Sequence, residues 1–274
     1  WPPLEYLIVH NRTRTTATPA HRIDIDRLPG STELVVSGDI ALGAETRENL
    51  VAVGDPALFA AHALRDALIR KGIQVEGVAR ARHRLPDDPA AEPTGVEVAA
   101  NESAPLIEAL RVVNKESQNL HAEIVLREVA RAKEGVGSRR TGLNELDKLL
   151  AEAKVESSGY YLTDGSGLSR QNLITPKTTT SLLAFMHSSP HGEAWVVTLP
   201  IGGIDGTLYN RFDKKPRPDV RAKTGTISHV SALAGYLLRK DGRRYAFAIM
   251  ANNYASPSAD VRKLIDRIVL EFLK

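Results

Sequence analysis

The sequence predicts an α+β fold, an antiparallel sheet flanked by helices, and three observations predict it. Val230 to Leu238 and Tyr245 to Ala251 are each apolar on both alternating faces, and Asp241-Gly242 between them marks a hairpin turn. Leucines recur at helical spacing through much of residues 55–153. Val261, Leu264, Ile265, Ile268, Val269 and Phe272 then form one apolar stripe on a final helix, which should lie across the sheet. A chain of 274 residues, 42% hydrophobic and 25% charged, has globular composition and the length for one large core, or a domain plus part of another.

Taken in order, residues 1–44 differ from the rest. Leu4 to Val9 reads as a strand, Asn11 to Thr18 as a polar, threonine-rich stretch, Ile23 to Asp26 alternates, Pro29-Gly30-Ser31 turns, and Leu34 to Val36 returns. A β element this small lacks a core of its own and should dock against something else. Asp55-Pro56 is an N-cap followed by proline at the first helical position, and Gly72 ends that helix. Pro86 to Pro93 is a loop and Val96 to Val98 a short strand. Ser103 should cap a helix bearing Ile107, Leu110 and Val113. The pattern breaks over Lys115 to Asn119, and a second helix runs from Leu120 to about Lys133. Thr141 to Ala153 is a further helix. Asp164 to Arg170 is a tight glycine- and serine-rich loop, Pro176 opens a helix through Met186, and Leu199 to Phe212 is more loop than element. Ser258 should cap the last helix.

Two tripeptides stand where chemistry is possible. Lys223-Thr224-Gly225, followed by Thr226, lies on the strand that precedes the two apolar ones. Lysine and threonine offer a cation and a hydroxyl to a carboxylate, and Gly225 removes a Cβ so that another backbone can approach. For the bare tripeptide, a solvated strand end with an ordinary glycine is the commoner account. Ser117-Gln118-Asn119 falls in the interhelical break. In a helix, residues two apart point about 200° apart; in a turn they can share a side. There Ser117 can pass a proton and Asn119 can hydrogen-bond a peptide. An N-cap asparagine, or two solvated polar residues, fits the same three letters.

Other chemistries are poorly served. No Gly-x-x-x-x-Gly-Lys-Ser/Thr cradle and no dinucleotide fingerprint occurs, and nothing resembles a nucleic-acid module, so neither a nucleotide cofactor nor a nucleic-acid partner is expected. The absence of cysteine removes disulfides and thiolate metal sites, and suits an oxidising compartment. His187, His191 and Glu193 come nearest to a metal set, but Ser188-Ser189-Pro190 breaks the helix between the histidines, so no metal is expected. No apolar run reaches the roughly 18 residues that cross a bilayer. The net charge is +3, and Lys214, Lys215, Arg217, Arg221 and Lys223 form one basic run. This run is either a solvated loop or a field that draws in anionic peptides.

Longer stretches carry a resemblance. Val113 to Glu123, Asp164 to Arg170, Lys223 to Thr226 and the Asp55-Pro56 helix ending in Gly72-Ile73-Gln74-Val75 resemble, in order and separation, the low-molecular-mass penicillin-binding proteins of the D-alanyl-D-alanine carboxypeptidase/endopeptidase type, peptidase family S13. Lys-Thr-Gly is one of the signatures of that wider group. The resemblance covers nearly the whole chain and implies a β-lactamase/transpeptidase-like fold. It implies acyl transfer on peptidoglycan stem peptides ending in D-Ala-D-Ala, sensitivity to β-lactam antibiotics, and a place in the periplasm or cell envelope. It gives Ser117 and Lys223 catalytic roles, the serine relaying a proton to the leaving amine and the lysine supporting it. Asn119 would hold the substrate backbone, Thr224 would join Lys223 on the terminal carboxylate, Gly225 would make room, and the Thr226 N–H would serve the oxyanion.

One departure stands out. No serine here is followed three positions on by a lysine, so the family's nucleophile motif, Ser-x-x-Lys, is missing. In the family that motif precedes a large inserted region, whose end residues 1–44 resemble. The expectation is therefore a C-terminal portion of a longer protein. Residues 1–44 would end an inserted β-rich domain and residues 45–274 would form the C-terminal part of the penicillin-binding domain. The nucleophile would lie on a missing N-terminal segment, and this polypeptide alone would not acylate. A non-catalytic peptidoglycan-binding relative, or a related serine esterase or β-lactamase, remains an alternative.

Overall fold

The structure is a computed structural model and describes residues 4, 6–17, 22–83 and 95–274. The chain folds as two compact units, Trp1–Ala90 and Ala91–Lys274.

In the first unit β1 (Ile8–Thr16), β2 (Arg22–Asp26) and β3 (Glu33–Ala41) form a sheet in the order β1-β3-β2, with β1 parallel and β2 antiparallel to β3. The polar stretch from Asn11 is thus strand, not loop. Its backbone pairs with Val36 to Ala41 while most of its side chains stay in water, so polarity does not oppose the pairing. A Cβ on Gly38, whose φ is +113°, would stand 2.0 Å from the Arg22 carbonyl oxygen, so only glycine lets β2 close on β3. Helix α1 (Pro56–Arg70) starts as expected, with Asp55 accepting from the Leu58 N–H at 3.0 Å, and Gly72 follows its end with φ +81°. Tyr6 packs edge-on against Phe59 of α1, ring centroids 5.2 Å apart, so helix and β element share what core there is.

The proline-rich loop at 86–93 lies outside the described residues. Val96 to Val98 is not a strand; both valines are exposed and no described residue pairs with them, three alternating residues being too few to hold a ladder. Helix α2 (Leu106–Lys115) follows Pro105 and has no side-chain cap, so Ser103 does not play that part. Helices α3 (Asn119–Glu134) and α4 (Arg139–Glu152) pack closely, since a Cβ on Gly142 would lie 2.5 Å from the Leu126 oxygen. A short hairpin, β4 (Tyr160–Tyr161) and β5 (Leu173–Ile174), is followed by α5 (Pro176–Ser188) and α6 (Gly192–Thr198).

The main sheet runs β6 (Ile201–Gly202), β7 (Arg217–Ile227), β8 (Val230–Leu238), β9 (Arg244–Asn252), every neighbouring pair antiparallel. Gly242 turns β8 into β9 with φ +79°. One face of the sheet packs Val220, Ala222, Leu233 and Leu237 against Ile265 and Val269 of α7 (Ser258–Phe272). The other packs Tyr236 against Leu183 of α5 and Val196 of α6. Being covered on both sides is why β8 has no polar face. The final helix does cross the sheet, but only part of its stripe is used: Leu264, Ile268 and Phe272 keep 45–48% of their surface. Its N-cap is Pro257, with no side-chain bond, and not Ser258. A buried Arg211–Asp266 pair, bonded at 2.7, 2.9 and 3.0 Å, ties the turn before β7 to α7. Among the described residues no helix is long and apolar enough to cross a membrane.

Candidate active site

The site begins where α2 stops. Asn114, in its last turn, is buried and donates to Thr198 Oγ1 at 2.7 Å, which fixes this end of the helix against α6. Beyond Lys115 the chain cannot continue helically, because Ser117 takes the left-handed conformation with φ 57°. Gln118 then caps α3 by accepting from the Leu120 N–H at 3.2 Å. The expected break is therefore real, and the N-cap is Gln118, which leaves Asn119 as the first helical residue. The Asn119 side chain makes no hydrogen bond to another described residue and is half-buried.

Opposite lies Lys223, near the middle of β7 and held by pairing with Ala234 of β8. Its ammonium donates to Ser117 Oγ at 2.7 Å and to the Thr224 carbonyl at 2.7 Å. The bond to Ser117 joins residues 106 positions apart in sequence. Burial lowers the Lys223 pKa from 10.5 to about 8, since desolvation penalises the charged amine. Thr224 Oγ1 donates to Thr207 Oγ1 at 2.9 Å.

The far end of β7 has an open edge. The short β6 pairs with β7 at Arg217 and Arg221, and among the described residues no strand pairs with β7 beyond them on that side, where the Ala222 N–H is spent on the Pro200 oxygen at 3.0 Å. Every second N–H of a strand points to the same edge, so those of Thr224 and Thr226 face outward there. Gly225 needs no glycine for packing: a Cβ would meet only the Ala232 Cβ, at an ordinary 3.7 Å.

The loop from Asp164 to Arg170 is tied to α3. Glu123 Oε1 accepts from the N–H groups of Gly165 and Ser166, each at 3.0 Å, and Oε2 accepts from Arg127 at 2.8 Å. Burial alone would raise the Glu123 pKa, but these bonds outweigh it and hold the carboxyl below its ordinary value. Asp164 accepts from the N–H groups of Gly167 and Ser169, both at 2.7 Å, which closes the loop on itself.

The structure thus joins Ser117, Lys223 and Thr224 by direct contacts and places Gly225 and Thr226 on the adjacent open edge, while Asn119 bonds to none of them. Sequence reasoning missed Thr207, which meets Thr224, and Asp205, which pairs with Lys115. Their one signal was the cluster Gly202, Gly203 and Gly206. His187 Nδ1 and Glu193 Oε1 both contact Arg244 Nη1, at 3.2 and 2.7 Å. Among the described residues no group of three His, Asp or Glu side chains is placed to hold a metal.

Comparison with known proteins follows the same lines. The family model for the D-Ala-D-Ala carboxypeptidase 3 (S13) family matches residues 2–271. The chain is 35% identical over 260 residues to a D-alanyl-D-alanine carboxypeptidase of Actinomadura sp. (strain R39), covering 92% of this chain and 47% of that protein. It is 36% identical over 220 residues to carboxypeptidase DacB of Mycolicibacterium smegmatis, covering 78% and 45%. The crystal structure of penicillin binding protein 4 (dacB) from Haemophilus influenzae, complexed with a novel beta-lactam, superposes with a TM-score of 0.82 at 26% identity, covering 100% of this chain and 64% of that one. The α+β fold is shared with penicillin binding protein 4 of Haemophilus influenzae. The chain spans about half the length of the curated relatives it matches.

Proposed function

Because the chain belongs to the D-Ala-D-Ala carboxypeptidase 3 (S13) family, we propose that it forms the proton-handling and substrate-binding side of a serine-type D-Ala-D-Ala carboxypeptidase site. The observation that carries this reading is the 2.7 Å bond from Lys223 Nζ to Ser117 Oγ. The ammonium occupies one acceptor position of the serine oxygen, so the hydroxyl's own proton is free to go elsewhere. At neutral pH a lysine titrating near 8 is mostly charged and supplies that donor.

In this reading the nucleophilic serine comes from a segment outside residues 1–274, since they contain no Ser-x-x-Lys. Its oxygen attacks the carbonyl carbon of the penultimate D-Ala. The resulting oxyanion meets the outward N–H of Thr226. The C–N bond then breaks as the leaving amine takes the Ser117 proton, and the proton given up by the attacking serine replaces it on Ser117; D-Ala departs, and water hydrolyses the acyl-enzyme and returns a proton to the nucleophile. Asn119, whose amide is unengaged by described residues, holds the substrate backbone, and Thr224 with Lys223 receives the terminal carboxylate. Gly225 leaves the edge of β7 open to the incoming peptide. β-Lactams acylate the same nucleophile, and the reaction takes place in the periplasm or cell envelope, where peptidoglycan lies.

Release of D-Ala from a D-Ala-D-Ala peptide by the complete protein tests the reading. The expected result is turnover that is blocked by penicillin. No release, with no penicillin adduct, would favour a non-catalytic peptidoglycan-binding relative.

A further inference from the structure

Asp205, Gly206 and Thr207 sit in the glycine-rich connection between β6 and β7, and nothing above gives them a role in the reaction. They touch both halves of the site. Lys115, two residues before Ser117, is paired with the Asp205 carboxylate. The other Asp205 oxygen accepts from the Ile201 N–H at 2.8 Å, which fixes it to β6. Gly206, with φ +52°, lies directly against α2: a Cβ there would stand 2.6 Å from the Lys115 oxygen. Thr207 accepts from Thr224 Oγ1 on β7 at 2.9 Å. Next in line, Leu208 is fully buried in the core beneath the sheet, so the segment is anchored from below.

Ser117 needs such support. Its left-handed backbone is one that residues with a Cβ leave unless neighbours hold them. Its neighbour Glu116 has an exposed side chain and is held only by its own N–H, which donates to the Val112 oxygen of α2, among the described residues. The segment that holds Lys115 is also the one that holds Thr224, so displacement of either strand or helix is transmitted to the other. We infer that Asp205-Gly206-Thr207 is a clasp that sets the separation of Ser117 from Lys223, and that Asp205, Gly206 and Thr207 are positioning residues for acyl transfer. The inference rests on the carboxypeptidase reading above.

The test is a double-mutant cycle on the complete protein with Lys115→Gln, Asp205→Asn and both, measuring kcat and KM for D-Ala release. A misplacement of about 1 Å costs on the order of 100-fold, so each single variant should lose roughly 10- to 100-fold in kcat with KM little changed. Both substitutions break one link, so the double variant should be no worse than the poorer single one. Asp205→Glu should recover part of the loss. Asp205→Asn keeps one oxygen to accept from the Ile201 N–H and removes the charged acceptor facing Lys115; Lys115→Gln carries the result if Asp205→Asn does not fold. Single variants with wild-type kcat, or losses that multiply in the double variant, would overturn the clasp. Lys223→Ala, run alongside, separates the failures. If it abolishes release while the clasp variants are unimpaired, the clasp alone falls; if release survives it undiminished, the assignment of Lys223 to the proton-handling site falls too.

Discussion

Replacing Lys223 with methionine should stabilise the protein at neutral pH while ending its chemistry. Burial lowers this lysine from 10.5 to about 8, so between those values the unfolded chain holds a proton that the folded one has released. Stability contributed by this group therefore rises with pH across that window, and below about 8 the fold bears the whole cost of a buried ammonium. At 1.36 kcal/mol per pH decade the gap amounts to about 3 kcal/mol. Methionine also forfeits the bonds to Ser117 Oγ and the Thr224 carbonyl, a loss of about 1 kcal/mol each net of exchange with water. The variant should thus gain about 1 kcal/mol near pH 7 and lose about 2 kcal/mol above about pH 11, where the ammonium cost is gone. Urea denaturation of the two proteins at both pH values measures this, since groups common to both cancel in the difference. A difference that does not change with pH would refute the reasoning, because it would mean that Lys223 is solvated in the folded protein.

Further expectations concern single residues. Gly225→Ala should fold with unchanged thermal midpoint, because its Cβ has room, yet lose D-Ala release as the added methyl meets the incoming peptide. Ser117→Gly should relieve the left-handed strain and raise stability by up to about 1 kcal/mol in a thermal melt, while removing the proton relay from a rate assay. Asp266→Asn should cost about 3–5 kcal/mol, read as a lowered unfolding midpoint, because it leaves the buried Arg211 charge uncompensated. A stability loss under about 1 kcal/mol would show that water reaches that pair.

How much of this was legible in the sequence follows from the range of each interaction. The two-faced strands and their turn were readable because burial on both sides leaves no polar alternation to miss. The kink at Ser117 was readable as a lapse in helical spacing, and its pairing with Lys223 could be anticipated only through the family motifs. Two helix starts were misread for one reason. Pro105 and Pro257 fix the first turn by their own backbone angle, so the nearby Ser103 and Ser258 are not needed as caps. The strand from Ile8 was cut short because solvated side chains look like loop when the pairing is through backbone alone. Asp205 and Thr207 were hard to read beyond the glycine cluster around them, since their partners are 90 and 17 residues away and the close approach of Gly206 to Lys115 exists only in three dimensions.

The central claim is that Ser117 and Lys223 move the proton that lets D-Ala leave. The most direct measurement is the rate of D-Ala release from a D-Ala-D-Ala peptide by the complete protein with Lys223→Ala. Loss of a positioned proton-transfer group should slow it by roughly 100- to 10,000-fold. A rate within about twofold of wild type would contradict the account.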